Sequence, residues 1–415
     1  MSENQQTVQR NLWENPWGYV ESFFIGFGLL VTGFFLEVFV KTNNTFTISY
    51  PYNVFFLVGY VVALIMLYKW FSTTQIIRWL TKVPASISSI VLVTLLVMIM
   101  GIIPQIPSEN NIITNLGLNH ITTNWAFLLI IFQFLTCLGL VTIKRISQLK
   151  WSNFGFILNH LGLFLALIAG ILGTGDLQRL SINVYEGKPS WIATDAQKNE
   201  IELPFAFYLK DFLINEYNPK LALVDNKSGS IAHNNGKNLY LVEKGETYFF
   251  KNFEVTVNEF FPNSGRIGDR YEKVNEIGSP PSASITVKNI ENDSIINSWI
   301  SSGSFRYPYE SLKISEDYSI VMTIPEVKKF SSDIDILTKE GERISTVLEV
   351  NKPFKFRGWK IYQLSYDDKM GKWSNLSVLE LVKDPWLPFI YIGIFMMIAG
   401  AFYMFWMGNK ITKNQ

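Results

Sequence analysis

Apolar residues fall along this chain in long blocks, and six of the blocks are long enough to cross a bilayer. A hydrocarbon layer about 30 Å thick takes roughly 20 helical residues at 1.5 Å each. The windows run from Gly18 to Val40, Tyr52 to Leu67, Ala85 to Ile103, Trp125 to Ile143, Phe154 to Gly173 and Trp386 to Met407. The second is the shortest. Tryptophan and tyrosine stand at many of the ends (Trp17, Tyr19, Tyr50, Tyr52, Tyr68, Trp70, Trp125, Trp151, Trp386, Trp406), where an amphipathic ring suits the headgroup layer.

Between the fifth and sixth windows the pattern changes to alternation. Phe253-Glu-Val-Thr-Val257, Ser284-Ile-Thr-Val287 and Leu376-Ser-Val-Leu-Glu-Leu381 read as strands. Turn chemistry separates them at Asn226-Lys-Ser-Gly229, Asn234-Asn-Gly236, Asn263-Ser-Gly265 and Lys339-Glu-Gly341. The expected fold is a membrane α-helical bundle of about six transmembrane helices with a large extracytoplasmic, mostly-β domain. That domain is antiparallel, sandwich or barrel-like, and tethered to the membrane at both ends. Four segments follow: 1–80, a leader and transmembrane hairpin; 81–173, a three-helix membrane core; 174–385, the β-rich domain; and 386–415, the last helix and tail.

Lysine and arginine in the short connections set the orientation. Arg10, then Lys69, Arg78 and Lys82, then Lys144, Arg145 and Lys150, and finally Lys410 and Lys413 all share one side if six helices alternate. The opposite short loops carry only Lys41, and the loop from Pro104 to Asn124 has neither residue. Both termini are therefore expected in the cytoplasm, with residues 174–385 outside. The N-terminus lacks a signal-peptide cleavage pattern, so the first apolar run reads as a retained span in a multi-pass protein of the cell membrane.

Composition agrees with a membrane class: 48% of residues are apolar and only 17% charged, against roughly 25% in soluble domains. A net charge of +1 without a long basic run gives no footprint for nucleic acid. The one cysteine, Cys137, sits inside an apolar run and reads as a small buried residue, so the chain holds no disulfide framework. There is no Cys-x-x-Cys-His and hence no covalent haem on this chain.

His160 is the ionisable residue to single out, because polar groups in hydrocarbon usually face a partner or a site. It lies six residues past Phe154, roughly 9 Å into the layer. In the same helix Gly155, Asn159, Gly162, Ala166, Ala169 and Gly173 form a small-residue stripe suited to close helix packing. His160 falls roughly opposite, among Phe156, Leu163, Phe164, Leu167 and Ile171. A neutral imidazole beside flat apolar side chains is what axial ligation of haem iron asks for, with the second ligand from elsewhere. The alternative is a structural histidine bonded to a neighbouring helix, for example at Gln133. His120 reads as a surface histidine near the membrane, with an outer-site ligand as the alternative, and His233 as part of a solvated turn. Glu21 and Glu37 read as paired or snorkelling structural groups, with support of His160 as the alternative. No catalytic constellation stands out in the β-rich segment, which better suits holding an extended peptide along an edge strand.

The run from Asn159-His160-Leu-Gly162 to Gly170, followed by Tyr185-Glu-Gly187, resembles the ResB family of cytochrome c biogenesis proteins, also called CcsB or Ccs1. Leu203-Pro-Phe205 with Leu209-Lys-Asp-Phe212, Val350-Asn-Lys-Pro-Phe354, Gly358-Trp-Lys-Ile-Tyr-Gln363, Tyr366, Gly371 and Asp384-Pro385 carry it further, over roughly residues 80 to 410. The hairpin opening with Trp13-Glu-Asn-Pro-Trp17 looks like an addition to the family's four-helix core. The resemblance implies a non-catalytic subunit of the system II cytochrome c synthase, which moves haem b across the membrane and joins it to apocytochrome c. It implies a CcsA (ResC) partner with a tryptophan-rich haem-handling motif absent here, and indirectly a thiol-disulfide reductant of the ResA or CcsX type. His160 matches the family's membrane haem ligand. The competing class is a non-haem assembly factor or receptor for an extracytoplasmic protein.

Overall fold

The computed structural model describes residues 12–40, 48–148, 150–233 and 237–411, with Ser152 and residues 407–411 described by backbone alone. Arg10, Lys41, Lys413, the Lys410 side chain and the Asn234-Asn-Gly236 turn lie outside the described residues. The chain forms two compact units, Met1–Leu177 with Asp384–Gln415, and Gln178–Lys383.

The first unit is helical. Its helices are α1 (Tyr19–Val40), α2 (Tyr52–Phe71), α3 (Gln75–Leu80), α4 (Val83–Ile102), α5 (Asn111–Asn115), α6 (Trp125–Ile146), α7 (Phe154–Gly173) and α8 (Leu387–Ile411). Among the described residues six of them, all but α3 and α5, are long and apolar enough to cross a membrane. They coincide with the six apolar windows, and α2 runs beyond Leu67 to Phe71. Tyr68, Lys69 and Trp70 interrupt the hydropathy but not the helical backbone, since such residues keep their stems on apolar surface and their heads in the headgroup layer.

Small residues set the tightest packing. The stripe on α7 lies against α8: a Cβ at Gly162 would stand 2.5 Å from the Gly393 carbonyl oxygen, and one at Gly400 would stand 2.7 Å from the Asn159 nitrogen. The Asn159 amide crosses the seam to the Met397 carbonyl at 3.3 Å. Gly26 of α1 likewise admits Leu92 of α4, and Gly33 admits the backbone at Ala126 of α6.

Where α7 ends, Asp176 ties three helix ends together. Its carboxylate accepts from the Tyr50 N–H at 2.7 Å, the Asn53 amide at 2.7 Å and the Trp386 indole N–H at 2.6 Å. Asn53, fully buried, also donates to the Leu172 carbonyl at 3.2 Å. Burial pushes the Asp176 carboxyl up, but the three donors outweigh it and hold its pKa below the usual carboxylate range. Asp384 caps the start of α8 by accepting from the N–H groups of Trp386 and Leu387.

The second unit is built of strands: β1 (Gln178–Tyr185), β2 (Pro189–Thr194), β3 (Glu200–Glu216), β4 (Lys220–Asp225), β5 (Leu239–Leu241), β6 (Thr247–Phe250), β7 (Phe253–Phe261), β8 (Ser264–Ile267) and β9 (Arg270–Lys273). They continue with β10 (Ser282–Asn289), β11 (Ile295–Ser301), β12 (Leu312–Lys313), β13 (Tyr318–Met322), β14 (Val327–Thr338), β15 (Arg343–Glu349), β16 (Phe354–Phe356), β17 (Trp359–Tyr366) and β18 (Leu376–Lys383). One sheet has the order β15-β14-β3-β2-β1-β18-β17-β16, and every strand pair in it is antiparallel. It curls around a single core that includes Phe207, Leu209, Ile334, Ile361 and Leu381, so strands far apart in the order meet. Ser332 of β14 donates to Gln363 of β17 at 2.6 Å and bonds Ser377 of β18 at 2.8 Å, all three buried. Two four-stranded sheets, β11-β10-β7-β6 and β12-β13-β4-β5, close on a second core around Leu223, Val255, Ile285 and Ile320. The unit thus combines a barrel-like sheet with a sandwich.

The alternating segments fall in β7, β10 and β18. Gly229 and Gly341 turn at φ +68° and +87°, values that a side chain rarely adopts. At Asn263-Ser-Gly265 the turn comes earlier than expected. The bend lies at Pro262 and Asn263, and Ser264 already belongs to β8.

Candidate haem-ligand site and its surroundings

His160 sits in the second turn of α7, half-buried. Its Nδ1 lies 3.1 Å from the Phe156 carbonyl oxygen. A carbonyl only accepts, so Nδ1 carries the proton and a neutral ring keeps its lone pair on Nε2. Phe156 stacks on the imidazole with centroids 3.6 Å apart and planes 21° from parallel, which holds the ring against its own helix. The Arg145 guanidinium, from the last turn of α6, stands over the Phe156 ring, 5.0 Å from its centroid. Carbonyl, phenyl and guanidinium thus orient one nitrogen without using it.

The stripe of small residues occupies the face toward α8, and His160 lies away from it. Of its expected apolar companions, Phe164 is buried, and Leu163, Leu167 and Ile171 pack partly buried against the same core. The alternative partner Gln133 does not reach it: among the described residues, the Gln133 amide has no hydrogen-bond partner on either atom although the side chain is buried. Helix rise gives the reason. Gln133 lies eight residues from the start of α6 and His160 six from the opposite membrane face, so across a layer about 30 Å thick their heights differ by roughly 9 Å.

His120 is not a free surface histidine. Its Nε2 meets Glu37 at 3.1 Å and its Nδ1 meets Asn119 at 3.0 Å, while Glu37, almost wholly buried, also accepts from the Trp125 N–H at 3.2 Å. Glu21 accepts from the Gly18 N–H at 2.8 Å and caps α1. Both acids therefore have structural partners away from His160. Cys137 is buried beside Trp79 and Ala85, and His233 is exposed. The sequence missed the Asp176 junction and the Arg145 to Phe156 contact. Arg145 was visible only as an orienting charge.

Among the described residues no three His, Cys, Asp or Glu side chains gather as a metal site. One imidazole supplies one ligand. An apolar crevice of about 270 Å³ between α2, α6 and α7 lies at the other half of the bundle, lined by Tyr60, Trp125, Phe132 and Ile168. In the β unit a cavity of about 290 Å³ is lined by Pro280, Phe305, Tyr307, Lys372 and Trp373.

These features define a helical membrane protein with a large antiparallel β domain inserted between its last two spans. Residues 315–376 match the ResB-like family, which supports membership of that family. No curated protein matches the chain. The matched stretch begins just before β13 and ends at the first residue of β18, so it includes Gly358, Trp359, Gln363, Tyr366 and Gly371. Gly358 and Gly371 supply positive φ, Trp359 is buried in the core, and Tyr366 packs against Phe212 and Phe330. These residues of the matched stretch support the β unit, whereas His160 lies outside the match.

Proposed function

We propose that the chain is the ResB-type subunit of a system II cytochrome c synthase, holding haem b in the membrane through His160 while its β domain presents apocytochrome c. The observation that carries this reading is the Nε2 lone pair, left open on the bundle surface by a ring whose other nitrogen is committed to Phe156. Ligating histidines are characteristically oriented in this way by a carbonyl on the second nitrogen. The residues present fit the group. His160 offers the iron a neutral nitrogen, Phe156 a flat apolar flank, and Arg145 a cation for a carboxylate at the membrane boundary. Haem, when bound, supplies the vinyl groups that become thioethers on the acceptor.

The protein's own part is to bind and orient. His160 would supply one ligand and leave any second ligand to another subunit, which supports a CcsA (ResC) partner. The lysine and arginine distribution supports cytoplasmic termini, an outer β domain and a His160 nearer the inner leaflet. The aromatic cavity beside Trp373 and Lys372 suits an extended peptide of the acceptor. Reduction of that peptide's cysteines falls to a thiol-disulfide protein of the ResA or CcsX type.

His160→Ala in the purified complex is expected to remove most of the Soret absorbance, and added imidazole to restore part of it. Unchanged haem content in the variant would retire the assignment.

A further inference from the structure

The first hairpin takes no part in the function proposed above. At the end of the bundle where α1 and α4 begin and α2 finishes, a cleft of about 450 Å³ opens between the Asn15-Pro-Trp17 segment and α3. Its polar lining comes from Asn15, Thr73, Gln75, Arg78 and Lys82. α3 explains why the cations face outward: Ile77 and Trp79 on either side of Arg78 are buried in the bundle, so Arg78 is left exposed. Trp79 is anchored by its indole N–H to Ser22 at 2.7 Å and meets Trp17 edge-on at 5.7 Å, which makes the wall rigid. Among the described residues neither Arg78 nor Lys82 has a carboxylate partner. Two unneutralised cations with amide and hydroxyl donors in one concavity match a phosphate group. Ile76 and Val83, 57% and 61% exposed, extend an apolar surface beside them, as a ligand with acyl chains requires.

We propose that this cleft binds the phosphate of an anionic membrane phospholipid, and that the hairpin serves to hold it. Free phosphate shares the headgroup chemistry, but only a lipid also uses the exposed Ile76 and Val83 at the membrane boundary.

The test is native mass spectrometry of the full chain in detergent with phosphatidylglycerol, with phosphatidylcholine, and with inorganic phosphate alone. Phosphatidylglycerol is expected to be retained over phosphatidylcholine, with phosphate failing to displace it. A cation near an anionic headgroup contributes about fivefold in affinity, so R78Q/K82Q is expected to weaken retention about 25-fold. R78K/K82R is expected to keep it. Thr73→Asp, which leaves both cations in place and adds a negative charge, is expected to weaken it as well. Equal retention of the two lipids, full retention by R78Q/K82Q, or displacement by phosphate alone would each overturn the proposal.

Discussion

Removing the Asp176 carboxylate tests the junction at which the helical unit is tied together. In Asp176→Ala three donors lose their acceptor, but not at equal cost. The Tyr50 residue is 73% exposed and its N–H finds water, whereas Asn53 is fully buried and Trp386 nearly so. Two stranded donors at about 1.5 kcal/mol each come to about 3 kcal/mol. A unit of this size loses about 2–4 °C per kcal/mol, so the midpoint should fall by about 6–12 °C. Asp176→Asn keeps one carbonyl oxygen for one donor and should fall by about half as much. The chain supplies its own probe, because the single cysteine, Cys137, is fully buried in the helical unit and reacts with a thiol-specific dye only as that unit opens. Because the folded pKa is depressed, the carboxylate's contribution is complete above its unfolded value of about 3.9 and is lost as pH falls below that. The gap between wild type and Asp176→Asn should accordingly be constant near neutrality and narrow only in acid. A midpoint for Asp176→Ala within about 1 °C of wild type would refute the reasoning.

Two other substitutions probe packing. Gly162→Val drives a side chain into the Gly393 carbonyl and the Met397 nitrogen, backbone atoms that yield only if α7 and α8 part, and should lower the dye-detected midpoint by about 3–8 °C. Gly170→Ala in the same helix meets nothing within 4 Å and should leave it unchanged, so equal effects would refute the close seam. Gln363→Leu strands the Ser365 carbonyl and weakens the buried Ser332 and Ser377 pair at a cost of about 1–3 kcal/mol. It should make the β domain in the full chain about tenfold more susceptible to protease, and wild-type resistance would show that water replaces the amide.

The spans and the strands were legible because burial leaves a period in the chain: a 20-residue apolar run for α7, strict alternation for β18. The stripe at Gly155, Asn159 and Gly162 was legible for the same reason, and it packs as its spacing implies. Contacts between distant positions leave no such trace. Asp176 lies 126 residues from Tyr50 and 210 from Trp386, and nothing local marks it as their common acceptor. Glu37 and His120, 83 residues apart, are alike. α3 escaped notice because six residues cannot show a helical period, although its buried Ile77 and Trp79 anchor the cleft.

Gln178 and Lys383 are opposite one another in the pairing of β1 with β18, and α7 and α8 touch along their glycines. The β domain therefore begins and finishes at one point, like a cassette spliced into a helical hairpin. A short linker joining α7 directly to α8 would restore an ordinary membrane hairpin, and the excised cassette would carry adjacent termini ready for circularisation.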